Sequence, residues 1–467
     1  MKRVSGLYSA MKSADIAYMA ILGGTKNKRH LMEVRRRFLQ PDGHTIDPEK
    51  CRAEAELLSE HLDEWNPSPL KVKYFHSPGH KDRKLAIPVL DDHLYGWMLI
   101  LAIQSVLMRG MHPFCVGSVP GRGIEYGRAA IERWVQHDSE AKYFVKLDII
   151  HFYQNVNTEL LKQKFRRVIK DSDILRFIDM HIDMNRRSVD ADGNLLPPIP
   201  GLPIGTYTAP WMANFYLQEM DHFITEQLYK TRRGKRTNYV RHYLRNIDDI
   251  LLLGASRRDL EKAVRSVTDY LSRIGLNVHK EWEIKQIGEM QEMGGEYRLK
   301  PETYPIDILG YKFYKASTTV RSGLYLRTMR TARKIRKELN QGFVHVYDAK
   351  VMMSRIGWFS HSDSKTFMKQ IQELLPLKFI RKVISYADKN GISGDAAIVY
   401  CGKRGEKGSY YILYGHSAGA PRRGRSVYSH SLDPGKHMDK QSGRADQPES
   451  GAVAESDPGR SVQLSLF

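Results

Sequence analysis

Apolar side chains are spaced in two ways along this chain. To about residue 70 they recur at helical intervals, interrupted by basic loops. Ser13 stands where an N-cap belongs, ahead of a helix expected over 14–22, and Gly23-Gly24 is predicted to end that helix. From about residue 72 to residue 390, short β-rich runs such as 143–150 and 247–253 alternate with longer helical stretches. No internal repeat is visible. After Tyr414 the pattern stops. Residues 416–460 are rich in Ser, Gly, Arg, Asp and Pro, and their few apolar side chains cannot offset the entropy of ordering. A flexible tail is therefore predicted, although its last residues, Val462-Gln463-Leu464-Ser465-Leu466-Phe467, turn apolar again.

Composition narrows the class. With 467 residues, 41% hydrophobic and 27% charged, the chain has the balance of a soluble globular protein with at least one sizeable core. Lysine and arginine number 73 against 53 acids, a formal charge of +20 that points to a polyanionic partner. Cys51, Cys115 and Cys401 are too few and too scattered for a disulfide framework or a thiolate zinc site. The opening Met1-Lys2-Arg3-Val4-Ser5-Gly6 is charged with no apolar run behind it, and no stretch approaches the length of a membrane span. The expectation is a basic cytoplasmic protein with no membrane partner.

Two β-prone runs carry acids that a buried strand should avoid. They are Phe144-Val145-Lys146-Leu147-Asp148-Ile149-Ile150 and Asn246-Ile247-Asp248-Asp249-Ile250-Leu251-Leu252-Leu253. A buried carboxylate is costly unless a cation or metal accompanies it. Neighbouring strand residues point to opposite faces, so a hairpin with Asp248-Asp249 at its tip is predicted. Three carboxylates meeting at strand ends suit two magnesium ions, with manganese as the alternative, of the kind that clamp the oxygens of a phosphoryl transfer. Taken alone, an Asp-Asp pair is an ordinary solvated turn.

The segments around these acids remove the ambiguity. Between them lies Gly201-Leu202-Pro203-Ile204-Gly205-Thr206-Tyr207-Thr208-Ala209-Pro210-Trp211-Met212-Ala213-Asn214-Phe215-Tyr216-Leu217, and ahead of them Lys81-Asp82-Arg83-Lys84-Leu85-Ala86-Ile87-Pro88. In this order the motifs resemble the bacterial reverse transcriptases of group II introns, retrons and diversity-generating retroelements, over residues 72–386. The resemblance implies an α+β right-hand polymerase. Its parts are an N-terminal helical basic extension (1–70), fingers and palm with an antiparallel sheet (71–320), a helical thumb (321–390), a small β-rich segment (391–415) and a disordered tail (416–467). It also implies metal ligation by Asp148, Asp248, Asp249 and the Ile149 carbonyl. Tyr153 becomes the steric gate against a 2′-hydroxyl, and Arg83 the triphosphate-holding arginine of the fingers. Gly205 allows close backbone approach to nucleotide and template. Leu309-Gly310-Tyr311-Lys312-Phe313-Tyr314 resembles the primer grip, which places Gly310 and Tyr311 at the primer. Ile204 stands where many relatives have glutamine, implying loose base selection, and Asn246 replaces the usual tyrosine before the Asp-Asp pair. Gly275-Leu276-Asn277-Val278-His279-Lys280 matches the segment that supplies a general acid to pyrophosphate, with Lys280 or His279 as the donor.

Further along, Arg327, Arg330, Lys334 and Lys337 recur at steps of three and four, with Leu326, Met329, Ile335 and Leu339 as the apolar side chains among them. In a polymerase this basic helix would open the thumb and hold phosphates of template and primer. Trp358 is expected in the thumb core. The glycine-rich 114–123 fits either a sharp loop near the template or a simple turn. The basic block 26–37 is a candidate for structured RNA. Gln463-Leu464-Ser465-Leu466-Phe467 resembles the peptide by which bacterial replication proteins dock on the sliding clamp, with Gln463, Leu464, Leu466 and Phe467 as its contacts. The expected activity is synthesis of cDNA from dNTPs on an RNA template, primed by DNA or RNA, in a mobile, diversifying or antiviral system. The alternatives are template-independent or protein-primed synthesis, and an idle, maturase-like RNA-binding scaffold.

Overall fold

The computed structural model describes residues 3–75, 83–293, 296–392, 394, 396–405 and 409–417. Four helices open the chain: Leu7–Met11, Ala14–Thr25, Met32–Phe38 and Pro48–Glu60. Ser13 caps the second, its side chain accepting the Asp15 N–H. Gly23 and Gly24 do not end that helix, contrary to expectation; they lie inside it. A Cβ on Gly23 would stand 2.4 Å from the Trp97 ring, and one on Gly24 3.1 Å from Leu94. The glycines are therefore contact points for the helix Leu90–Arg109, and they tolerate helical backbone at a cost of about 1 kcal/mol each. Arg37, within the basic block, pairs with Glu33, Glu54 and Asp91.

The central sheet has five strands, in the order Thr303–Tyr304, Lys285–Ile287, Tyr143–Asp148, Asp249–Gly254, His242–Asn246. Tyr143–Asp148 and Asp249–Gly254 are antiparallel, with Asp148 opposite Asp249 at one end and Tyr143 opposite Gly254 at the other. Side chains alternate between two cores. Val145, Leu147, Ile250 and Leu252 join a large core with helices Leu90–Arg109, Thr208–His222 and Arg257–Arg273. Phe144, Leu251 and Leu253 join a second core with helix Ile124–His137 and the antiparallel strands Ile306–Ile308, Tyr311–Phe313 and Thr318–Val320. Both faces are thus covered, and these strands read as unbroken apolar runs that stop at the acids.

A smaller sheet sets Leu70–Phe75 between Arg83–Ile87 and Ser188–Val189. The C-terminal layer packs helices Ser322–Asn340, Val346–Ser360, Lys365–Leu374 and Leu377–Lys389 against strands Phe343–His345, Ile398–Lys403 and Tyr410–His416. The β-rich segment after residue 390 returns to pair with the strand at Phe343–His345. No helix among the described residues is long and apolar enough to cross a membrane.

Candidate active site

The acids converge. Asp148 ends its strand directly across from Asp249, which opens the neighbouring one; paired residues of this kind have Cα atoms roughly 4.5–5.5 Å apart. Asn246 pairs with Asp249, so the hairpin loop holds only Ile247 and Asp248. The expected tip at Asp248-Asp249 is accordingly shifted by one residue, because Asp249 is needed in the ladder. Alternation places Asp148 and Asp249 on the face of Lys146 and Leu251. Burial foremost, and the charge of Asp148, push the Asp249 carboxyl above its ordinary pKa, while Lys146 and Arg321 oppose the shift. The backbone beyond Asp148 is fixed as well: the His279 N–H donates to the Asp148 carbonyl at 3.0 Å and the Ile150 N–H to Asn277 at 2.8 Å. These bonds flank the Ile149–Val278 bridge, which turns the Ile149 carbonyl to the opposite edge, toward the hairpin.

Beside the acids, three segments meet through close backbone contacts. The short helix Phe152–Asn155 carries Tyr153, whose hydroxyl is held protonated well above its ordinary range by burial and by the charge of Asp248. The Leu202 N–H donates to the Tyr153 carbonyl at 2.8 Å. Gly201 has φ +72, and a Cβ there would stand 2.0 Å from that same carbonyl. Gly205, at φ +114, seats its Cα against the Ala86 carbonyl, and the Ala86 N–H donates to Ile204 at 2.7 Å. The loop bearing Ile204 and Gly205 is thus fastened both to the Tyr153 helix and to the strand that Arg83 opens. The Arg83 side chain, with Lys81 and Asp82, lies outside what the structure describes.

Under the hairpin sits a polar network that sequence reasoning missed. Arg245, fully buried, forks onto Asp221 with two 2.7 Å bonds; Tyr243 donates its hydroxyl to the same carboxylate at 2.5 Å. Arg245 Nη1 also donates to Asn214 Oδ1 at 2.8 Å and to the Ile247 carbonyl at 3.0 Å. Asn214 Nδ2 in turn donates to the Gly117 carbonyl at 2.7 Å. A Cβ on Gly117 would meet the Ile247 nitrogen at 2.8 Å and its Cγ1 at 2.7 Å. The glycine-rich 114–123 is therefore the seat of the acidic hairpin. Ile247 adopts φ +59, a costly conformation for a β-branched residue, and the Arg245 and Gly117 contacts hold it there. Asn214 and Asp221 lie on a helix that also carries Gln218, Glu219 and His222, so no break in an apolar pattern marks them in the sequence.

The remaining candidates are placed as follows. His279 Nε2 lies 3.6 Å from Asp148 Oδ2, whereas Lys280 is exposed. Gly310 forms the turn between Ile306–Ile308 and Tyr311–Phe313 with φ +83, and the Trp358 ring covers it. Tyr311 is fully buried, its hydroxyl donating to Glu125 at 2.9 Å, so it braces this hairpin from below and its ring is closed to a primer. On Ser322–Asn340, Arg327, Arg330, Lys334 and Lys337 are exposed together, and Lys334 pairs with Asp348 at 2.8 Å. Leu326 is 61% exposed, contrary to its expected apolar role; Thr328 and Ala332 take the inner stripe with Ile335 and Leu339. Gln463, Leu464, Leu466 and Phe467 lie outside the described residues.

An antiparallel sheet here brings acids from two strands beside a loop held close by Gly201 and Gly205, the arrangement of a polymerase palm. Residues 76–313, just over half of the chain, match the family model for reverse transcriptase (RNA-dependent DNA polymerase). The chain belongs to that family, and its fold is the α+β right-hand polymerase fold. Among solved structures it is similar to the telomerase of Candida albicans, determined with a fragment of telomeric RNA, at 12% identity and a TM-score of 0.42, covering 68% of this chain and 55% of that one. It is also similar to the apo telomerase of Candida tropicalis, at 13% identity and a TM-score of 0.38, covering 54% and 55%. The chain thus spans about half the length of these structures. No curated protein matches it.

Proposed function

We propose that this chain is a competent RNA-directed DNA polymerase, adding deoxynucleotides to a primer on an RNA template. The observation that carries the reading is the cross-strand pair Asp148–Asp249 with Asp248 in the adjoining turn, beside Tyr153. The donor set fits a hard divalent cation: all-oxygen ligands from three carboxylates, one of them raised in pKa by burial and by a neighbouring acid, which a cation would relieve. Asp148, Asp248, Asp249 and the Ile149 carbonyl would hold two magnesium or manganese ions. Bound there, such ions would activate the primer hydroxyl and neutralise the leaving pyrophosphate.

The chain's own residues supply the rest. The Tyr153 ring would lie under the sugar and exclude a 2′-hydroxyl, and Gly205 lets backbone approach the nucleotide. Arg83, on the strand fastened to Ile204, would take the triphosphate with a fork of donors. Either Lys280 or His279, which lies against Asp148, would donate the proton to pyrophosphate. Arg327, Arg330, Lys334 and Lys337 would hold the duplex backbone by charge alone. An aliphatic Ile204 implies loose base selection, as in bacterial retroelements that diversify genes, and Gln463–Phe467 would tether the enzyme to a sliding clamp. Deleting those five residues should end clamp pull-down and spare synthesis; undiminished pull-down rejects the tether.

The deciding experiment is Asp248→Asn. Loss of dNTP incorporation on an RNA template–primer, with RNA affinity kept, supports the polymerase. Unchanged incorporation overturns it. Incorporation by the parent chain without any template would favour terminal-transferase chemistry instead.

A further inference from the structure

The C-terminal sheet carries chemistry that the palm does not use. One face of it packs Val344, Val399 and Cys401 into the thumb core. The register puts Phe343 opposite Tyr400 and Tyr400 opposite Tyr414, so three aromatic side chains form one rung across the other face. The Tyr400 and Tyr414 rings are stacked at 4.6 Å, and His416 lies 5.8 Å from Tyr400. Next along the strands, Tyr411 lies over Gly402, where a Cβ would stand 2.3 Å from the ring. Tyr411 is 42% exposed and Tyr414 56%. A folded core has no use for such a face.

Its charge selects the occupant. Lys403 and Arg404 stand exposed at one end, the Arg404 guanidinium 5.6 Å above the Tyr411 ring. No acid occurs among the described residues of these three strands. A second copy of the chain would bring two such basic rims together in a protein of charge +20, which opposes association. A single-stranded nucleic acid offers bases for the rings and phosphates for the rim. The phenol hydroxyls and the His416 ring add hydrogen-bonding groups that a 2′-hydroxyl can meet.

We propose that the face made by Tyr400, Tyr411 and Tyr414 is a stacking platform for single-stranded RNA. It goes beyond the polymerase reading and does not depend on the palm acids, since a chain with an idle palm would still carry it.

The test uses the full chain, with the palm occupied by excess unlabelled template–primer duplex, and a short unstructured RNA carrying 4-thiouridine and a 5′ fluorophore. Photo-crosslinks should map to Tyr400, Tyr411 or Tyr414. Tyr414→Ala should weaken anisotropy-detected RNA binding by about tenfold, the loss of one stacked base. Tyr414→Phe should stay within about twofold of the parent, and DNA of the same sequence should bind more weakly than RNA. Tyr414→Ala should still extend a preannealed primer, which separates this surface from the palm. Crosslinks only outside these strands, parental RNA affinity in Tyr414→Ala, equal affinity for DNA, or loss of a dimer in Tyr414→Ala would each overturn the proposal.

Discussion

Two hairpins in this molecule solve the same geometric problem differently. Tyr229–Arg232 and Lys235–Asn238 are joined by Arg233-Gly234, both at positive φ (50° and 74°). That is the pattern of a type I′ turn, whose twist matches the strands it joins. Lys235–Asn238 is exposed throughout, and the turn holds itself. The acidic hairpin has a loop of equal length but places Ile247 at φ +59, a position that glycine normally fills. It is held by Arg245 of its own first strand, which donates to the Ile247 carbonyl while anchored on Asp221, and from outside by Gly117 against its backbone. The turn at Arg233-Gly234 relies on its own turn chemistry; the acidic one accepts strain and is braced through Asp221, Asn214 and Gly117, which are distant in sequence. Such bracing fixes where Asp248 and Asp249 stand.

Several substitutions would break or sharpen this contrast. The largest effect is expected from Arg245→Met, which leaves the buried Asp221 carboxylate without its cation, with only the Tyr243 hydroxyl on it. It should cost about 3–5 kcal/mol in denaturant unfolding and abolish incorporation. Gly117→Ala should cost about 1–3 kcal/mol by overpacking yet lower incorporation about a hundredfold, because the displaced group is the turn that carries Asp248. RNA affinity should hardly change in that variant. Gly234→Ala, at φ +74 with open space around it, should cost about 1 kcal/mol from backbone strain alone and leave incorporation at the parental rate. If Gly117→Ala and Gly234→Ala reduce activity equally, the bracing account fails. The smallest effect concerns the outer end of the acidic hairpin. There the Glu140 backbone N–H, His242 and Arg241 bind Asp138 and hold its pKa down at about 2. A depressed carboxylate stabilises the fold fully above its unfolded pKa, near 4, and the contribution disappears as pH falls to about 2. Asp138→Asn should therefore remove less than about 1 kcal/mol at neutral pH and flatten the acid limb of the unfolding curve.

This contrast also explains which parts of the site were legible beforehand. Asp148, Asp248 and Asp249 stand out because acids interrupt apolar runs, a signal contained within a few residues. Ser13 as a cap is equally local. The Arg245–Asp221 pair and the Gly117 seat depend on contacts between segments 24 to 130 residues apart, and nothing in the neighbouring residues announces them. Gly23-Gly24 misled for the same reason: its partner, Trp97, lies on another helix. Tyr311 reads as a primer contact by motif, but a hydrogen bond to Glu125, 186 residues away, takes it inside.

The N-terminal helices have a consequence for how the chain can be divided. Met11, Ala17, Ile21, Phe38, Leu58 and Trp65 share one continuous core with Leu94, Met98 and the palm side chains Val145 and Leu252, and Trp65 donates its indole N–H to the buried Asp92. A chain trimmed to the residues that match the family model, 76–313, would expose this apolar wall. It should come out of expression insoluble, which makes the first sixty-five residues part of the engine block and not a detachable accessory.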